Sequence, residues 1–160
     1  MDCQSECSAV DSLYFEDVKK GTRFTTLSRT ITEADIVNFA GVSGDFNPLH
    51  TDQVFAEKTR YRERIAHGFL SLAVASGLWS RLGIVDGPGF IAFYGIEHLR
   101  FTKPVMIGDT VTARLTVKDK SEKGDLGLVT FTNELLNQRG ETVLILDLLL
   151  LLNRREPPTA

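Results

Sequence analysis

Asp45 and His50 stand five residues apart, with Asn47 and Pro48 between them. A carboxylate and an imidazole that close, on a backbone stiffened by proline, can both be aimed at one small molecule; in outline they are a general acid and a general base. An isolated Asp and His in a loop are a weak signal, because polar loop residues often bond only their own backbone. Here the context adds to it. Asn47 can brace the loop with its amide, and His67, Gly68 and Phe69 open a long apolar stretch further on. If that stretch is a helix, its start at Gly68 supplies free backbone N–H groups and the positive end of a dipole. A carbonyl oxygen that gains negative charge during a reaction can be held there.

Other polar residues carry plainer readings. His67 precedes the candidate donor and can line the site, but a structural imidazole beside a helix start explains it as well. His98 falls inside a strand-like run and reads as structural. Ser76 and Ser80 sit on the apolar helix, where buried hydroxyls usually satisfy carbonyls of the same helix. Arg60, Arg62 and Arg64, interleaved with Tyr61 and Glu63, read as a solvated loop, with a grip on a phosphate-bearing cofactor as the alternative.

The elements that would position these residues follow from pattern. Phe24 to Ile31 is Thr-rich and suits a strand; Thr32 then caps a short helix through Ala40, which Gly41 and Gly44 end. Asp45 to His50 is read as loop, and Thr51 as the cap of a helix to about Lys58. Gly68 to Leu82 is apolar nearly all round, as a helix buried on most sides would be. Phe90 to Phe101, with Gly95 as a candidate bulge, reads as a long strand, followed by a turn at Pro104 and Gly108. Val111 to Val117 alternates as a half-buried strand, Lys118 to Asp125 is a polar turn, and Leu126 to Leu136 and Thr142 to Asn153 are further strands. Short turns make them antiparallel. One buried helix ahead of several long antiparallel strands implies an α+β hot-dog fold, a sheet wrapped around a central apolar helix. The last strand is apolar at successive positions, so both faces need cover, and a second copy of the chain joined edge to edge is the simplest source.

Composition narrows the classes. The chain has 160 residues, 42% hydrophobic and 24% charged, with a net charge of −3, which suits one globular domain and points to neither nucleic acid nor a membrane surface as partner. Residues 1–8 are expected to be a mobile leader, residues 9–153 one domain and residues 154–160 a tail. Cys3 and Cys7 lack a second pair to complete a zinc site and are read as reduced thiols. The first residues do not resemble a secretory signal, so a cytoplasmic location is the default. The most apolar run, Val143 to Leu152, is interrupted by Asp147 and is too short to cross a bilayer as a helix.

Asp45-Phe46-Asn47-Pro48-Leu49-His50, then Ile65-Ala66-His67-Gly68, then Leu99-Arg100-Phe101 and Pro104 to Asp109 form ordered blocks. Together, over roughly Thr22 to Val117, they resemble the MaoC-like dehydratases, which include the (R)-specific enoyl-CoA hydratases. The resemblance implies a hot-dog dimer that hydrates a 2-enoyl thioester of CoA or acyl-carrier protein. It implies Asp45 and His50 as the catalytic pair, the Gly68 amide as donor to the thioester oxygen, and Ser76 as a supporting hydroxyl, to which the reading of the residues adds Asn47 as a brace and His67 as a lining candidate. It requires no metal and no cofactor. A thioester hydrolase on the same fold, or a non-catalytic acyl-binding subunit, are the competing readings; the presence of both Asp45 and His50 favours hydration.

Overall fold

The computed structural model describes residues 13–85 and 87–155. The expected leader, with both cysteines, and residues 156–160 of the expected tail lie outside them. After a 3₁₀ turn at Phe15–Asp17 come β1 (Arg23–Thr25), β2 (Arg29–Thr30), α1 (Glu33–Ser43), α2 (Pro48–Thr51), α3 (Gln53–Glu57) and α4 (Gly68–Ser80). The rest is sheet: β3 (Phe90–Phe101), β4 (Thr110–Lys123), β5 (Leu126–Leu136) and β6 (Thr142–Asn153). The strands pair in the order β1-β4-β5-β6-β3, every pairing antiparallel, with β2 also on β4.

The sheet buries one face against α4. Inward residues Val111, Ala113 and Leu115 of β4, Val129, Phe131 and Leu135 of β5 and alternate leucines of β6 form one core with Leu70, Val74, Ala75, Leu78 and Trp79 of α4. This is the expected hot-dog arrangement. Burying each such Leu or Val stabilises the fold by about 1.5–3 kcal/mol, so the helix is fixed chiefly by packing, not by propensity. No helix among the described residues is long and apolar enough to cross a membrane.

Several local expectations are corrected. The strand expected over Phe24 to Ile31 is broken into β1 and β2, because the Thr26 hydroxyl accepts the Ala113 N–H at 2.9 Å in place of a backbone carbonyl, and Leu27 turns outward. The expected polar turn from Lys118 is strand as far as Lys123, leaving only Gly124 and Asp125 to reverse the chain. That end of the β4/β5 hairpin projects past the core, so its side chains are mostly exposed and polar and carry no alternating apolar signal. Thr51 does not cap α3: its hydroxyl bonds the carbonyls of Phe46 and Asn47, and Asp52 accepts the Phe55 N–H instead. Arg154 and Arg155, the first residues of the expected tail, pair with Glu16 and Asp17.

On the face of β6 away from α4, Asp147 and Leu149 are 5% and 7% exposed within the single chain, while Ile145 and Leu151 are half-buried. Exposed apolar side chains are also found on β3, an edge strand with Ile91, Phe93, Tyr94 and Phe101 exposed, and on α4, where Phe69 is 65% exposed.

β3 departs from regular pairing at three places, Phe90/Ala92, Phe93/Gly95, as expected from Gly95, and Glu97/Arg100, where His98 adopts a positive φ of 54°. From this last irregularity the His98 ring reaches Asp147 at 2.9 Å, and Lys118 reaches the same carboxylate oxygen at 2.6 Å. His98 is thus structural, as expected, although its side chain is largely exposed.

Candidate active site

The loop that carries Asp45 is built by two successive caps. Thr32 and Asp35 form a capping box that starts α1, worth about 1 kcal/mol. Gly44 ends α1 in the left-handed conformation at φ 75°, which a residue with a side chain adopts only at a cost. Asp45 follows at once. One of its carboxylate oxygens accepts the Asn47 N–H at 3.2 Å, and the Asn47 side chain accepts the Leu49 N–H at 3.0 Å. With Pro48 at the first helical position, these bonds wind Pro48–Thr51 into a single turn, α2. His50 therefore stands on a helical turn and not on a loop, a correction whose signals, an Asn cap followed by Pro, were present in the sequence.

His50 is aimed by a residue that no local pattern indicates. Its Nδ1 lies 2.8 Å from the carbonyl of Ile65. A carbonyl can only accept, so Nδ1 carries the proton and Nε2 holds the basic lone pair. His67 approaches from the other side. Its Nε2 lies 3.0 Å from the backbone carbonyl of Asp45, its ring stacks on His50 with centroids 3.8 Å apart, and Phe39 lies against it at 5.0 Å. Burial pushes the His67 imidazole below its usual range, and the His50 charge adds to this, against the opposing bond to the Asp45 carbonyl and the Asp45 charge.

A carboxylate oxygen of Asp45 and one ring nitrogen each of His50 and His67 lie within 4.8 Å of one another. One water can bridge groups at that spacing, each bond being about 2.8 Å. Two histidines and an aspartate are also metal-ligand types. However, a metal lies in the plane of each imidazole it binds, whereas these rings are stacked, only 33° from parallel. His67 Nε2 and His50 Nδ1 are moreover occupied by carbonyls. The arrangement suits proton transfer better than ligation.

Gly68 is the first residue of α4, and its N–H has no acceptor within the helix. Its lack of a side chain has a visible cause: a Cβ there would stand 3.1 Å from the ring of Phe101. Two depressions are lined by residues of α4. One, of about 190 Å³, is lined by Gly68, Ser71, Phe101 and Thr102, with Arg60 and Lys103 among its polar residues. The other is an apolar groove of about 530 Å³ along the exposed face of α4, lined by Phe69, Leu72, Ala73, Ser76 and Trp79, with Phe39 and Phe93 opposite. The helix expected to be buried on most sides thus keeps one face open, and that face forms the groove.

The structure brings Asp45, His50 and His67 together, with Asn47 as the brace. It places Gly68 at the open helix end directly after His67. Ser76 stands apart: it lines the groove, and its hydroxyl bonds neither Asp45 nor His50 among the described residues. Ser80 bonds the Gly77 carbonyl at 2.9 Å, the plain reading. Of the arginines, Arg64 pairs with Glu33 and Arg62 bonds the Glu57 carbonyl, which leaves Arg60 at the cavity. Sequence reasoning missed Ile65, Phe39 and Phe101, which act through a carbonyl or a ring face.

Known proteins resemble this one over most of the chain. It is 49% identical over 105 residues to the (R)-specific enoyl-CoA hydratase of Rhodospirillum rubrum, covering 65% of this chain and 69% of that protein. It is 44% identical over 110 residues to Protein MaoC of Klebsiella aerogenes, covering 69% of this chain but only 32% of that longer protein. Among solved structures, the monoamine oxidase regulatory protein from Archaeoglobus fulgius superimposes with a TM-score of 0.87 at 40% identity, covering 92% of this chain and 99% of that one. Residues 16–138 match the family model of the MaoC like domain, and the chain belongs to that family.

Proposed function

We propose that the protein is a hydro-lyase that adds water reversibly across the double bond of a 2-enoyl thioester, giving an (R)-3-hydroxyacyl thioester. The observation that carries this reading is the Asp45 carboxylate and the free His50 Nε2 within reach of one water, beside the open end of α4. The atoms balance with that single water. Its oxygen bonds to the β carbon and keeps one hydrogen; the other proton passes to the Asp45/His50 pair, at His50 Nε2, and from the pair to the α carbon. Both transfers occur on one face of the substrate, so addition is syn. Between them the negative charge sits on the thioester oxygen, held by the Gly68 N–H. The acyl chain runs along the apolar groove and the thiol end leaves past Arg60, whose guanidinium suits the phosphates of CoA.

With a panel of 2-enoyl-CoA thioesters, the protein is expected to bleach the conjugated double bond and to release no free thiol from saturated acyl-CoA. Thiol release without loss of the double bond would make it a hydrolase. Inactivity across short, long and branched chains would remove the hydratase reading.

The assembly proposed is a homodimer joined along β3, which buries Ile91 and extends the sheet across two chains. Sedimentation should show a dimer for the unaltered protein and a monomer for Ile91→Lys, since a charge in such a seam opposes pairing. A monomeric unaltered protein would refute the assembly.

A further inference from the structure

His67 performs no step in the hydration scheme, yet it touches the three parts that do. It is 2% exposed, its Nε2 meets the Asp45 carbonyl, its ring covers one face of His50, and its own backbone is the cap from which the Gly68 N–H follows. Its second nitrogen, Nδ1, is buried without any hydrogen-bond partner.

Those contacts fix the proton. The partner of Nε2 is a carbonyl, so Nε2 carries the hydrogen. A proton on Nδ1 as well would bury a charged donor with nothing to accept it, which costs several times what an unmade neutral acceptor costs. The ring is therefore the neutral Nε2–H tautomer. His50, bonded through Nδ1 to Ile65, is the opposite tautomer. Two imidazoles of identical chemistry are stacked and assigned different work by the carbonyl each one meets. One keeps a basic nitrogen free for the substrate side, and the other keeps its spare nitrogen shut away.

We infer that His67 is the positioning residue of this site, a permanently neutral imidazole that hangs the Asp45 backbone from the start of α4 and lays an uncharged ring against His50. The groups acting on it electrostatically are His50 from α2 and Asp45 from the loop; Phe39 of α1 supplies an apolar face. Neutrality matters because His50 becomes an imidazolium during turnover. A charged neighbour at stacking distance would oppose that, whereas a neutral aromatic face favours it. The inference rests on the hydratase reading for its kinetic consequence, but the tautomer is independent of any activity.

The test has two arms. Nitrogen-resolved NMR of protein labelled in histidine should show one imidazole as the neutral Nε2–H form from about pH 5.5 to 8, through the range where free histidine titrates; the signal should be absent in His67→Gln and His67→Phe. A His67 that titrates in that range, or that carries its proton on Nδ1, overturns the inference whether or not the protein hydrates enoyl thioesters. In the kinetic arm, Gln places an amide N–H where Nε2 stood and Phe keeps the flat ring without a donor. His67→Phe should lower kcat about tenfold or more with KM little changed, and His67→Gln should restore most of it, because misplacing a reacting group by an ångström costs up to ~100-fold. Equal losses in both variants, or unaltered kcat in Phe, would leave His67 as ordinary core. A wild-type chain without hydratase activity but with the expected tautomer removes the hydratase reading alone.

Discussion

Asp45→Asn and His50→Asn are each expected to lower kcat for enoyl-thioester hydration by about two orders of magnitude or more, the usual contribution of a positioned acid or base. Both substitutions are chosen to spare the scaffold. An Asn at position 45 keeps a carbonyl oxygen to accept the Asn47 N–H, and an Asn at position 50 keeps an N–H near the place of Nδ1 to bond the Ile65 carbonyl. What each removes is the ability to hold the transferred proton. Because one water is shared between the two groups, the double variant should be scarcely slower than the worse single one, as for residues that act as a unit. Initial rates of double-bond loss measure this, with thermal melting as the check on folding. Near-normal turnover in both folded variants would remove the pair from the mechanism, and fully multiplicative losses would show that they act on separate waters or separate steps.

The parts of this site that local sequence chemistry dictates were legible. Thr32 as a cap, Gly44 as a stop, and a helix beginning at Gly68 each express a backbone requirement within four residues of itself, whereas Gly41, also read as a stop, lies inside α1. Less legible was anything whose partner lies far along the chain. The orientation of His50 depends on a carbonyl fifteen residues away, and the bond from His67 reaches back twenty-two residues to Asp45. A carbonyl is present at every residue, so no residue type advertises it. The same limit applies to the sheet. Alternation located β4 only as far as Val117, because beyond the core there is no buried face to impose a period on Lys118 to Lys123. The apolar helix was identified, but its composition cannot distinguish a face packed on the chain's own sheet from a face that lines a groove, since both are apolar. Only the placement of Phe39 and Phe93 across from Leu72 and Ser76 separates them.

Gly68→Pro isolates the remaining element of the mechanism and should reduce kcat by about 100- to 1000-fold, the loss typical of deleting one oxyanion donor. Proline is well tolerated at the first position of a helix, where the N–H has no internal acceptor. The residue before it must be extended, and His67 already is, at φ −60° and ψ 142°. The helix should thus form as before, with the Gly68 N–H replaced by a ring carbon. A side chain at this position also meets Phe101, whose ring would lie 3.1 Å from any Cβ. Gly68→Ala is the necessary control, because it introduces the same crowding and keeps the N–H. If the amide holds the developing charge, Ala should cost a small part of what Pro costs. The difference should appear in kcat more than in KM, since the oxygen is negative only as the reaction proceeds. Equal losses in Ala and Pro would trace the effect to displacement of Phe101, and the charge would then have to be held by some group other than the opening of α4.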